Sequence, residues 1–173
     1  MTARTAAGVS AERERRTRGE FHGEDVIESE GTSRRIWRSR TFLARMSALS
    51  EVVAFTAEAC RDADLGREVC LRLTLLVEEL FSNTVVHGHA GGSDAPVTVT
   101  LDAERGRITL TYEDTGPPHD PFAAVVQPDG AATVEDWPVG GLGVFLVASM
   151  ATDIEYRRID DKNRIALTIR SAS

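Results

Sequence analysis

Hydrophobic and polar positions alternate in two distinct ways along this chain. Between residues 97 and 112 the period is two. Val97, Val99 and Leu101 alternate with Thr98 and Thr100, and Ile108, Leu110 and Tyr112 alternate with Thr109 and Thr111. That pattern predicts two half-buried strands, and Glu104-Arg105-Gly106 between them predicts a hairpin. Upstream the period lengthens to three and four. Val69, Leu73, Leu76, Leu80 and Phe81 mark one face of a helix over 67–86. Met46, Leu49, Val53 and Ala57 predict a shorter helix over 46–61, with a turn at 62–66 between the two. Residues 34–43, with Ile36, Trp37, Phe42 and Leu43 on the apolar side, predict a first strand. The run from His87 to Asp94 is small and flexible and ends the long helix.

Past residue 116 the periodicity disappears. Pro117, Pro118, Pro121, Pro128 and Pro138 interrupt residues 116–139. A stretch this long and irregular inside a domain predicts a lid or functional loop. Gly140-Gly141-Leu142-Gly143 then opens a helix through Val144, Phe145, Val147, Ala148 and Met150. Two closing strands, 153–159 and 164–170, are joined by Asp160-Asp161-Lys162-Asn163, a good turn sequence. The order is strand, helix, helix, strand, strand, lid, helix, strand, strand. It predicts an α+β two-layer sandwich, with helices packed on one face of a mixed, mostly antiparallel sheet.

Composition changes this picture at the N-terminus. Residues 1–20 hold almost no large apolar group, so they cannot bury enough surface to offset the entropy of ordering. A disordered tail over 1–33 and one domain over 34–173 are expected. The length of 173 residues and 42% hydrophobic content suit that division. The net charge of −7 disfavours binding to nucleic acid or an anionic membrane. Cys60 and Cys70 form no C-x-x-C pair and are too few for a disulfide framework, so buried free thiols are expected. No stretch has the apolar core of a signal peptide or the length of a membrane span, and a cytoplasmic location is expected.

Three polar clusters carry the candidate chemistry. Glu79 and Asn83 lie four apart near the end of the long helix and share one face. Asn83 offers a neutral oxygen to a hard cation such as Mg²⁺, and Glu79 is placed to take a proton from a hydroxyl. Glu113-Asp114-Thr115-Gly116 ends a strand. A carboxylate there can accept a hydrogen bond from an exocyclic amine, and Gly116 lets the backbone approach a flat ring. Gly140-Gly141-Leu142-Gly143 opens a helix whose free amides attract phosphate. Each cluster alone is common in proteins of other function. His87 and His89 have no third ligand nearby and are not read as a metal pair.

In this order, the clusters resemble the N, G1 and G2 boxes of the GHKL (Bergerat-fold) ATPases. They are most similar to the anti-sigma-factor serine kinase branch, the RsbW and SpoIIAB type. The resemblance rests on Glu79, Asn83, His87-Gly88, Asp114-x-Gly116 and Gly140 to Gly143, and spans about 34–170. It implies ATP and Mg²⁺ as cofactors, with Asn83 on the metal and Glu79 as general base toward a partner's serine. It implies Asp114 on the adenine amine beside Gly116, phosphates held by Gly140, Gly141, Leu142 and Gly143, and a lid over 117–139. It implies a sigma factor and a STAS-type anti-anti-sigma protein as partners, and a homodimer formed through 34–61.

Three departures bear on turnover. The family's Gly-Thr near the penultimate strand is replaced by Asn163-Arg164, so no adenine-binding threonine is carried over. Pro118 stands where a glycine is usual, and no Lys or Arg occurs between Arg107 and Arg157. Mg²⁺ and backbone amides are expected to neutralise part of the γ-phosphate charge, and Arg72 or a partner's arginine the rest. A protein kinase, favoured by Glu79 in register with Asn83, is expected first, and a nucleotide-sensing binding module without phosphotransfer, favoured by the missing lid cation, second.

Overall fold

In this computed structural model the described residues are 24–30, 33–104, 107–123, 144, 148–149 and 151–170. The chain runs through β1 (Glu24–Glu30), β2 (Ser33–Leu43), a 3₁₀ turn (Met46–Ala48), α1 (Leu49–Asp62) and α2 (Arg67–Asn83). A π-helical turn (Thr84–Gly88) leads to β3 (Pro96–Glu104), β4 (Arg107–Asp114), β5 (Ala151–Ile159) and β6 (Lys162–Arg170). The strands form one sheet in the order β1-β2-β3-β4-β6-β5. Every pairing among the described strands is antiparallel, where a mixed, mostly antiparallel sheet was expected.

Alternation along the strands gives the sheet a buried and an open face. Val97, Val99, Leu101 and Ala103 of β3, and Ile108, Leu110 and Tyr112 of β4, point into the core with Ile165, Leu167 and Ile169 of β6. α2 packs on that face through Val69, Leu73, Leu76, Leu80 and Phe81, the stripe its 3-4 spacing predicted, joined by Val77. The open face carries hydroxyl pairs across neighbouring strands: Ser39 with Thr100 at 2.8 Å, Thr41 with Thr98 at 3.0 Å and Thr109 with Thr168 at 3.1 Å. Cross-strand threonine pairs of this kind support register.

Several sequence expectations are corrected. The tail expected over 1–33 contains a strand, because Glu24–Glu30 pairs along β2. That register sets Asp25 opposite Arg38 and Glu28 opposite Arg35. β2 consequently lies inside the sheet, with β1 at its edge. Within β2 the core side is Ile36 and Phe42, whereas Leu43 is 47% exposed. α1 docks through Val52, Phe55, Thr56, Ala59 and Cys60, not through the stripe containing Met46, Val53 and Ala57. The final turn is two residues long, with Asp160 and Asp161 both at positive φ (48° and 60°). Short polar side chains tolerate that left-handed conformation, which matches the twist of a tight hairpin. Asn163 therefore belongs to β6 and not to a loop. The helix expected after Gly143 is described only at Val144 and Ala148, which are helical.

Candidate functional site

The C-terminal end of α2 supplies one wall of the site. Asn83 Nδ2 donates to Glu79 Oε1 at 3.3 Å, one helical turn back. A carboxylate only accepts, so this contact fixes the amide with its NH₂ toward Glu79 and its oxygen turned away. The following π-helical turn inserts an extra residue into the backbone ladder, an irregularity frequent at functional sites. It closes when the Gly91 N–H reaches back to the Val85 carbonyl at 2.9 Å, with Gly91 at φ 97°. Tyr112 ties the turn to the sheet: its hydroxyl donates to Thr84 Oγ1 at 2.9 Å. Burial pushes the Tyr112 phenol far above the ordinary tyrosine range, against the smaller opposing effect of the Thr84 bond.

The end of β4 supplies the second wall. Asp114, 6% exposed, is paired in register with Asn163 of β6. Asp114 Oδ1 accepts from the Gly116 N–H at 2.7 Å and from Asn163 Nδ2 at 2.9 Å. No described residue donates to Oδ2. The glycine at 116 is sterically required, since a Cβ there would sit 2.9 Å from Asp114 Oδ1 and 3.3 Å from the Gly88 Cα. The turn after β4 and the end of the π-helical turn thus meet backbone to backbone. That contact demands glycine at 116, whereas a Cβ at Gly88 would stand 3.6 Å from the Gly116 Cα, an ordinary contact.

These walls enclose a cavity of about 240 Å³. Asn83, Asp114 and Gly116 line it, with Leu80, Tyr112 and Ile165 as apolar surface. Thr84, His87 and Gly88, and Pro117, Pro118, His119 and Pro121 complete the rim with Asn163. Glu79 is not part of the lining and stands one helical turn behind Asn83. Gly140, Gly141, Leu142 and Gly143 and most of the expected lid, residues 124–139, lie outside the described residues.

No lysine or arginine lines the cavity among the described residues. Arg72, the in-chain candidate for a phosphate cation, is ion-paired with Glu68 one turn further from the site. It precedes Asn83 by eleven residues, about 16 Å of helix at 1.5 Å per residue. The residues that sequence reasoning passed over are Asn163 and Arg158. Arg158 Nη1 donates to the Gly116 carbonyl at 2.7 Å and to Asn163 Oδ1 at 3.0 Å. The tight Asp160-Asp161 turn was the available signal, because it places both residues on paired strands.

Residues 42–169 match the histidine kinase-like ATPase domain. The chain belongs to that family. It is also 33% identical over 100 residues to the serine/threonine-protein kinase BtrW of Bordetella bronchiseptica, a match covering 58% of this chain and 70% of that protein. Two solved structures of the catalytic domain of histidine kinase ThkA align with 77% of this chain and 97% and 95% of theirs, at 12% identity and a TM-score of 0.42. A histidine kinase-like ATPase domain binds ATP, and the cavity chemistry fits that ligand: an acceptor oxygen of Asp114 with no donor among the described residues, and a close glycine approach. Among the described residues no helix is long and apolar enough to cross a membrane.

Proposed function

We propose that this histidine kinase-like ATPase domain is an ATP-binding anti-sigma factor with protein-serine kinase activity. Its substrate would be a serine of a STAS-type anti-anti-sigma protein, and its second partner a sigma factor that it sequesters. The observation that carries the reading is the meeting of Asn83, Asp114 and Gly116 at one cavity, with Glu79 hydrogen-bonded to Asn83. The likeness to a protein named as a serine/threonine kinase supports phosphotransfer.

Each residue has a role in this reading. Asp114 accepts from the adenine amine, and Gly116 gives the ring room to approach. Asn83 contributes one neutral oxygen to Mg²⁺. Among the described residues no group of three or more His, Cys, Asp or Glu could hold a metal by itself. That fits a cation that arrives with the phosphates and takes only one or two protein ligands. Gly140, Gly141, Leu142 and Gly143 provide amides to the phosphates. Glu79 takes the proton of the attacking serine hydroxyl as the new oxygen–phosphorus bond forms and ADP leaves.

The absence of lysine and arginine from the cavity lining among the described residues favours a second reading, a nucleotide sensor in which ATP changes partner affinity and no phosphate moves. One experiment separates the two. The protein is incubated with γ-labelled ATP, Mg²⁺ and candidate STAS partners, beside Glu79→Ala. The kinase reading expects phosphoserine on a partner with wild type and a loss of about 100-fold or more in the variant. Tight ATP binding with no transfer to any partner selects the sensor.

A further inference from the structure

We infer that Asn163, locked by Arg158 and Tyr156, is a positioning and specificity-determining residue. It fixes the Asp114 carboxylate so that a purine is read by one acceptor oxygen alone. The inference rests on the ATP-binding reading of this cavity and adds to it a residue outside the boxes that define the family resemblance.

The amide of Asn163 is 3% exposed and engaged at both ends. Its Nδ2 donates to Asp114 Oδ1 at 2.9 Å and to the Pro117 carbonyl at 2.9 Å, with the Gly116 carbonyl at 3.4 Å. Its Oδ1 accepts from the Tyr156 hydroxyl at 2.9 Å, Arg158 Nη1 at 3.0 Å and the His119 N–H at 3.3 Å. A flipped amide would set its NH₂ against three donors and its oxygen against a carboxylate and two carbonyls. Only one orientation is therefore tenable.

This saturation decides what the residue does. Two N–H groups already face three acceptors, and the oxygen already takes three donors. Asn163 has nothing left to offer a ligand, so it acts through Asp114. Asp114 Oδ1 is in turn taken by Asn163 and by the Gly116 N–H, which leaves Oδ2 for the ligand. An ionised carboxylate accepts and cannot donate. A base presented to Oδ2 must bring a hydrogen, as a 6-amino purine does and a 6-oxo purine at that position does not. Arg158 reinforces the arrangement from β5, since Nη1 also holds the Gly116 carbonyl at 2.7 Å. One cluster thus ties the base-reading carboxylate to the turn 116–119 that follows it.

The test has a nucleotide arm and a nucleotide-free arm. Dissociation constants for ATP and for inosine triphosphate, its 6-oxo analogue, are measured by calorimetry. The proteins are wild type, Asn163→Asp, Asn163→Ala and Arg158→Ala. Wild type is expected to prefer ATP by about tenfold or more, because the analogue leaves a buried acceptor facing an acceptor. Asn163→Asp keeps the shape and reverses the hydrogen-bond sense toward Asp114, so its ATP affinity should fall about 30-fold and its preference approach unity. Arg158 is exposed, so Arg158→Ala should fold normally and shift both quantities in the same direction by about threefold. A wild-type ATP preference retained in folded Asn163 variants would overturn the inference. In the nucleotide-free arm, hydrogen exchange is followed at the Gly116 and His119 amides. Faster exchange in Asn163→Ala and Arg158→Ala supports the clasp; unchanged exchange overturns it. If wild type binds neither nucleotide, the ATP reading falls, and the exchange result still decides whether Asn163 holds the turn.

Discussion

Gly116 shows how one residue limits what the site tolerates. Its missing Cβ leaves room for Asp114 Oδ1 at 2.9 Å and the Gly88 Cα at 3.3 Å, both of which an alanine would strike. The obstruction is a carboxylate the site needs and a backbone atom, neither of which can step aside. Gly116→Ala is therefore expected to raise the ATP dissociation constant about tenfold or more while far-UV circular dichroism stays native. Gly91→Ala is the informative contrast. Its φ of 97° strains an alanine although no atom stands within 4 Å of the added Cβ. That variant should lose about 1–2 kcal/mol of stability and keep its ATP affinity, as denaturant melts and calorimetry would show. Legibility also varied residue by residue. Glu79 and Asn83 could be paired from their spacing, because i and i+4 on a helix are neighbours. Asn163 could not be paired with Asp114 until the register of β6 against β4 was known.

At the scale of elements, a buried hydrogen bond adds to the apolar packing that joins the end of α2 to the sheet. Tyr112 on β4 donates to Thr84 in the π-helical turn, and both side chains are buried. The phenol's proton is held far above its ordinary value of 10.0 by burial. The unfolded chain releases that proton near pH 10 while the native chain keeps it. Above that pH the native state binds more protons, so stability falls as pH rises. The buried Cys60 thiol, raised from 9.0 by burial and by neighbouring Cys70, adds a loss of the same sign. Tyr112→Phe should cost about 1 kcal/mol at neutral pH through the stranded Thr84 hydroxyl. It should also flatten the decline in urea midpoint between pH 10 and 11. An equal alkaline decline in the variant would show that Tyr112 does not govern it. The misreading of α1 has an element-level cause too. Most of its residues are apolar or small, so two neighbouring stripes met the helical period, and packing against α2 and the sheet chose Val52, Phe55 and Ala59.

For the whole molecule, the sheet separates stability from chemistry. The described cavity residues come from α2, the turn after it, β4, the turn 116–121 and β6, and none comes from β1 or β2. β1 pairs only with β2, at the far side of the sheet order from β6. A chain beginning at residue 31 is thus expected to bind ATP within about twofold of the full chain. It should melt several degrees lower, since it loses one ladder of hydrogen bonds. Calorimetry and a thermal melt on the two chains check this, and a collapse of ATP affinity would mean that β1 supports the site.

What the sequence determined by itself was local in origin. Alternation of Val, Leu and Ile with Thr produced β3 and β4, the 3-4 spacing produced α2, and residue type marked Asp114 and Asn83 as polar groups at element ends. What needed the tertiary structure was every relation between elements distant in sequence. The strand Glu24–Glu30 exists because β2 offers it an edge to pair with, although its own composition is too polar to fold alone. Asn163 reaches Asp114, 49 positions away in the chain, because a two-residue turn and the strand pairing bring β6 into register beside β4. Hydrophobic periodicity reports which face of an element is buried. Only closure of the sheet decides which polar side chains that burial forces to satisfy one another.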